Sequence, residues 1–235
     1  MINIKLVKIG HNSHVDFEEL TKTKSKVFKI SNQLIESLNP DFLEKNELTI
    51  YDNELNSMEI SNNNDLLVGI IDRPLQGNYF TRRISDNFIV ISTHDIEDLK
   101  LQEGISVKNF ILRFIYAFSI MYSTYKGLKN EAAELMRRNV TGCLFDMAIN
   151  KRQIAVFFKN SHLCISTKSV LEQKTTEKSV VRNTEVEIKR LKISKYYRYS
   201  EWMKKNPIIA SLLLFLAGLV FHELLGNYIY SYLTG

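Results

Sequence analysis

Leu66-Leu67-Val68-Gly69-Ile70-Ile71 decides the fold. Six apolar residues with no polar alternation read as a strand buried on both faces, as in sheets covered on either side. Asp72-Arg73-Pro74 ends the run, and Phe88-Ile89-Val90-Ile91-Ser92 repeats the pattern. Ser106 then caps a helix predicted from Val107 to about Lys126, closed by Gly127. Phe110, Ile111, Leu112, Phe114, Ile115, Phe118, Ile120 and Met121 leave this helix apolar on nearly every side. Arg113, Ser119, Ser123 and Thr124 interrupt it, so a central core helix fits better than a membrane span. The expected class is α/β, a mixed sheet with a central buried helix.

Towards the N-terminus, Ile2, Ile4, Leu6 and Ile9 are set against Asn3, Lys5 and Lys8, the pattern of a strand and not of a signal peptide. Leu48-Thr49-Ile50-Tyr51 reads as a further strand, and Ser61-Asn62-Asn63-Asn64-Asp65 as a loop. Towards the C-terminus, helices are expected around Glu131–Arg138 and Asn150–Lys159. Residues 166–206 read as a charged connector, a partly amphipathic helix without a strict heptad. Glu185–Ile193 also alternates as a strand would. The expected domains are residues 1–165, the connector 166–206 and a membrane segment 207–233.

From Pro207 the chain runs Pro-Ile-Ile-Ala-Ser-Leu-Leu-Leu-Phe-Leu-Ala-Gly-Leu-Val-Phe and meets no charge until Glu223. About 20 apolar residues cross a bilayer as a helix, and Ile208–Leu233 has that length. Ser211, Gly218, His222 and Gly226 share one helical face bordered by Glu223, a small and polar stripe of the kind that packs transmembrane helices together. Trp202, Tyr196, Tyr197 and Tyr199 before the segment, and Tyr228, Tyr230 and Tyr232 after it, suit interfacial belts.

Charge supports the same picture. Residues 1–165 carry 20 Lys/Arg and 20 Asp/Glu, whereas residues 166–206 carry 11 against 5. A basic stretch beside a span predicts a single-pass inner-membrane protein with its N-terminal domain in the cytoplasm. The first domain has no basic patch with interleaved aromatics, so no nucleic-acid partner is expected. Cys143 and Cys164 make no disulfide framework. With His162 they could share a metal; ordinary buried cysteines are the alternative.

Gly69-Ile70-Ile71-Asp72, Asn78-Tyr79-Phe80, Ile89-Val90-Ile91-Ser92, the helix 107–126, Cys143-Leu144-Phe145-Asp146-Met147 and Cys164 follow one another in an order that resembles small metzincin-type peptidases, most closely the archaemetzincins. The resemblance covers about 100 residues. It implies a zincin-like core, a Met turn at Cys143–Met147 and a Cys-x-x-Cys pair beginning at Cys164. The chemistry departs from the family. The helix reads Phe114-Ile115-Tyr116-Ala117-Phe118-Ser119, without the two imidazoles and the carboxylate base that zinc hydrolysis needs. Ile165-Ser166-Thr167-Lys168 lacks the second cysteine. His222-Glu223-Leu224-Leu225-Gly226 begins like the zincin motif but has no second His and lies in the membrane segment.

No phosphate-cradling glycine loop and no nucleophile elbow is present. No catalytic residue, cofactor or metal is therefore assigned. Asp72, Arg73, Asn78, Arg82 and Arg83 form the densest polar set after a buried strand, where α/β folds collect ligands. Arg82 and Arg83 suit a phosphate or carboxylate; a solvated loop with local ion pairs is the alternative.

The expected function is a non-catalytic, membrane-anchored sensor or effector that binds a protein or small ligand. Its homo-oligomeric helices would recruit it to the bilayer or permeabilise it, with Ser211, Gly218, His222, Glu223 and Gly226 at the packing face or pore. Small prokaryotic proteins of this layout resemble effectors of phage defence. A zinc peptidase with atypical ligands and a passive tether are the alternatives.

Overall fold

The computed structural model describes residues 1–32, 36–38, 43, 48–58, 66–128, 134–136, 141–147, 153–174 and 177–234, with side chains except in 36–38 and 223–234. They form two compact units, Met1–Ile193 and Ser194–Gly235.

The first unit is built on a six-stranded sheet. Strands β1 (Ile2–Ile9), β4 (Leu66–Ile71) and β6 (Phe88–Ser92) run parallel in its centre. β2 (Phe28–Ile30) and β3 (Glu36–Leu38) share the outer edge of β1, pairing with Ile2–Ile4 and Val7–Ile9 respectively. β5 (Thr81–Arg83) closes the far edge antiparallel to β6, so the order is β2-β1-β4-β6-β5. The sheet is thus mixed, and the unit is α/β as the pattern predicts.

The two-faced burial expected of β4 and β6 is present: every residue of both strands is buried. Leu66, Val68, Ile70, Ile89 and Ile91 enter the larger core, while Leu67, Ile71, Phe88 and Val90 enter a smaller one with Ile50, Leu55 and Leu75. Gly69 is needed on that second face. A Cβ there would come within 2.7 Å of Ile9 and 3.1 Å of Phe88 and Val90.

Helix α1 (Phe17–Thr21) follows β1, and α2 (Asp52–Asn56) precedes β4. Leu48–Tyr51 does not form the expected strand. Ile50 makes a single bridge to Leu75, because the Glu54 carboxylate accepts the Tyr51 N–H at 2.9 Å and starts α2 at once. After β6 the chain forms α3 (Ile96–Glu103), which ends at Gly104 with φ +66°.

Helix α4 (Val107–Tyr125) is the central element, and its bounds match the sequence reading to within a residue. The Ser106 hydroxyl accepts the Asn109 N–H at 3.2 Å. Every residue from Phe110 to Met121 is buried. Burying each large apolar side chain contributes about 1.5–3 kcal/mol. Aromatic rings lock α4 to its surroundings: Phe80 meets Phe110 at 5.0 Å, and Phe28 meets Tyr116 at 4.9 Å.

The helix expected at 131–138 and the loop at 61–65 lie mostly or wholly outside the described residues. The helix expected at 150–159 is described as α5 (Ile154–Lys159). The stretch 166–206 is not one helix but three: α6 (Ile165–Gln173), α7 (Lys178–Ile188) and α8 (Lys195–Lys205). The first two belong to the first unit. Residues up to Ile188 are helical, so Glu185–Ile193 is no strand.

The reason is a buried carboxylate. Glu187 accepts hydrogen bonds from Tyr116 Oη at 2.7 Å, Ser25 Oγ at 2.6 Å and the Lys26 N–H at 2.8 Å. Burial and this bond push the Tyr116 phenol up. Those partners sit on α4 and before β2, so helical placement of Glu187 ties three parts of the unit.

In the second unit α8 meets α9 (Pro207–Thr234), a continuous helix of 28 residues. Among the described residues no single helix is long and apolar enough to cross a membrane. The described side chains of α9 stop at His222. Two bent pairs have the length and composition for a span, α3 with α4 and α8 with α9 to His222, the second bent by 113°.

Replacing Glu187 by Ala strands the buried Tyr116 hydroxyl. A loss of about 1–3 kcal/mol is expected, read as a lower urea midpoint of the first unit with the slope unchanged.

Candidate functional site

Beside α4 lies a cavity of about 340 Å³, within the usual range for small-ligand sites. Its floor is the α4 face bearing Phe114, Ala117, Phe118 and Met121. One wall is the chain entering β5, from Gly77 to Thr81. The other is the turn Leu144–Met147, with Met136 and Ile154. Of β5, the last strand of the sheet, only Thr81 reaches this lining. Phe114 and Phe118 stand one helical turn apart on the cavity floor, and neither carries a metal donor.

The turn owes its shape to Asp146. Its Oδ2 accepts the N–H groups of Thr141, Gly142 and Cys143 at 2.6, 2.7 and 2.8 Å. Gly142 has φ +98°, a conformation that glycine adopts without steric cost. The Asp146 carbonyl accepts a bond from Arg113 Nη2 at 3.2 Å. Arg113 is only 5% exposed. Its guanidinium lies 4.9 Å from the Phe114 ring centre and 5.1 Å from that of Phe157. Burial pulls its pKa down to about 10 against the attraction of Asp146. Arg113 Nε and Asp146 Oδ1 are buried without a hydrogen-bond partner. The cavity is therefore an aromatic and methionine-lined slot with one buried cation and one buried carboxylate in its wall.

Of the polar set after β4, only Asn78 lines this cavity. It sits at φ +56° in the 3-10 turn Gln76–Asn78. Arg82 Nε donates to Asp52 at 2.8 Å, Arg82 Nη2 donates to the Gln76 carbonyl at 2.7 Å, and the guanidinium covers the Tyr79 ring. Arg83 donates to the Leu128 carbonyl. The two guanidinium groups thus meet different partners and do not converge on one point. Asp72 accepts from Thr93 Oγ1 at 3.2 Å and lies 3.8 Å from His14. Arg73 donates to the Leu43 carbonyl at 2.8 Å. His14 is also 3.2 Å from Glu97.

On α9, Ser211, Gly218 and His222 are exposed, and a Cβ added at Gly218 would meet nothing within 4 Å. The side chains at Glu223 and Gly226 lie outside the described residues.

Among the described residues no three metal-ligating side chains form a group fit for an ion. His162 bonds through Nδ1 to the Asn160 carbonyl at 2.8 Å. The cavity residues that sequence reasoning missed are Arg113 and Asp146. A single Arg inside an apolar helix, and an Asp three residues after Cys143, were the available signals.

Asp146→Ala frees three turn amides and removes the charge beside Arg113. It is expected to cost about 3–5 kcal/mol, and Arg113→Met less, because Asp146 keeps its three donors. Urea midpoints for the two variants check the order; equal losses would contradict it.

No protein-family model matches the chain, and neither a curated protein nor a solved structure matches it.

Proposed function

We propose that the chain is a non-catalytic, membrane-anchored sensor or effector. The first unit binds an apolar ligand or partner segment in the α4 cavity, and α9 inserts into the bilayer and self-associates there. The observation that carries the binding half is the cavity lining. Phe114, Phe118, Met121, Met136 and Met147 offer apolar and polarisable surface. The two charged groups of the wall, Arg113 on α4 and Asp146 in the turn, are tied to each other by the bond from Arg113 to the Asp146 carbonyl. The degenerate zincin-like core belongs to the same proposal. It is supported by the succession β4, β6, α4 and the cysteine-bearing turn, and by the apolar residues on α4 where ligands would stand in a peptidase.

The membrane half rests on α9. Twenty-eight residues at 1.5 Å each span about 42 Å, longer than a hydrocarbon core of about 30 Å. Leu212, Leu213, Leu214, Phe215, Leu219, Val220 and Phe221 are all more than half exposed, a surface that lipid covers favourably. Helix α8 supports the same geometry. Tyr196, Tyr199, Trp202 and Met203 are exposed among Lys195, Arg198, Lys204 and Lys205. A bend of 113° lets α8 lie in the headgroup plane while α9 crosses.

Flotation of the full-length chain with dye-loaded vesicles tests this proposal. The expected result is co-flotation, tighter with anionic lipid, and dye release that depends on protein concentration. Leu214→Asp with Leu219→Asp abolishes both. Protein that stays in the aqueous fraction sinks the proposal. Flotation without leakage reduces it to a tether, and activity lost on chelation would favour the peptidase.

A further inference from the structure

We propose that Cys143 and Cys164 are a redox pair, in which Cys164 is oxidised by a peroxide and Cys143 resolves it to an intramolecular disulfide. The proposal is independent of what the cavity holds.

The chain brings the two thiols together by backbone pairing. Cys143 and His162 form a parallel bridge, with Leu144 N–H donating to the His162 carbonyl at 2.9 Å and His162 N–H to the Gly142 carbonyl at 3.2 Å. Two residues on, the Cys164 N–H donates to the Cys143 sulfur at 3.3 Å. Both sulfurs touch one hydroxyl: Thr167 Oγ1 is 3.0 Å from Cys164 Sγ and 3.6 Å from Cys143 Sγ. Thr167 is itself fully buried. Neither cysteine is in a disulfide.

Their surroundings divide the labour. Cys143 is fully buried, whereas Cys164 is partly exposed. Only Cys164 meets a solute. It occupies the residue just before α6, a helix of nine residues, with no capping bond from its side chain, and Ser166 Oγ lies 3.2 Å from its sulfur. Partial burial alone would raise the Cys164 thiol. The Ser166 and Thr167 hydroxyls, the Thr167 N–H and Cys143 outweigh it and bring the thiol down to about 6. Burial pushes the Cys143 thiol up. A thiolate that is accessible beside a protonated thiol that is not is the arrangement of an attacking and a resolving cysteine.

The steps balance. The Cys164 thiolate attacks one peroxide oxygen; the S–O bond forms, the O–O bond breaks, and the departing hydroxide takes a proton to become water. Cys164 is then a sulfenic acid. The Cys143 sulfur attacks it; the S–S bond forms, the S–O bond breaks, and the departing hydroxide takes the Cys143 proton as a second water. Two thiols lose two electrons, and one peroxide becomes two waters. Thiols restore the pair by exchange. The link fastens the first residue of the Cys143–Met147 turn to the start of α6, so it holds one wall of the α4 cavity.

Full-length protein in detergent, treated with hydrogen peroxide and mapped without reductant, tests the pair. The expected product is one 143–164 crosslinked peptide, reversed by dithiothreitol. In Cys143→Ser the sulfenic acid at Cys164 is trapped by dimedone. In Cys164→Ser the loss of the Cys143 thiol slows by at least about tenfold. The proposal is overturned if both thiols of the unmutated protein remain alkylatable after peroxide. It is also overturned if the only disulfide links two chains, or if Cys143 oxidises equally fast without Cys164.

Discussion

The burial of α4 on all sides governs the first unit. A helix without a solvent face needs partners right round its circumference. The sheet supplies one side through β4 and β6. Phe80 before β5, Phe157 on α5, Glu187 on α7 and Asp146 in the turn supply the rest. Each contact also fixes the position of the element that makes it. The cavity lies along α4 between Phe80, before β5, and the turn that holds Asp146.

The parts of this arrangement that were legible in the sequence are those with strong periodicity. Two unbroken apolar strands, the Ser106 cap and the closure after Tyr125 were readable because local pattern and tertiary environment agree there. The polar contacts were not readable in the same way. Glu187 looks like one more charge in a basic connector, and only its three donors, from distant positions in the chain, make α7 part of the core. Arg82 and Arg83 follow a buried strand as ligand-binding residues do. Their actual neighbours, Asp52, Gln76 and Leu128, are set by loops whose paths no periodicity encodes. The helix and turn named in the resemblance to peptidases border the cavity, and the residues there set its apolar chemistry.

Arg113 and Asp146 illustrate how a polar pair is kept inside an apolar wall. Taking a guanidinium out of water is costly, and one hydrogen bond to a carbonyl does not offset it. Two flanking rings and a nearby carboxylate offset a further part of it, and burial still outweighs the carboxylate, which leaves the Arg113 pKa lowered. That carboxylate is itself held by three amides, so the charge it presents is fixed in place.

Among the described residues the outer border of the sheet is shared: β2 pairs with Ile2–Ile4 of β1 and β3 with Val7–Ile9. A foreign strand seeking to lengthen the sheet there meets two strands of three residues each, a short template for pairing. Such a border hinders runaway edge-to-edge polymerisation. It leaves any assembly to be directed by other parts of the molecule.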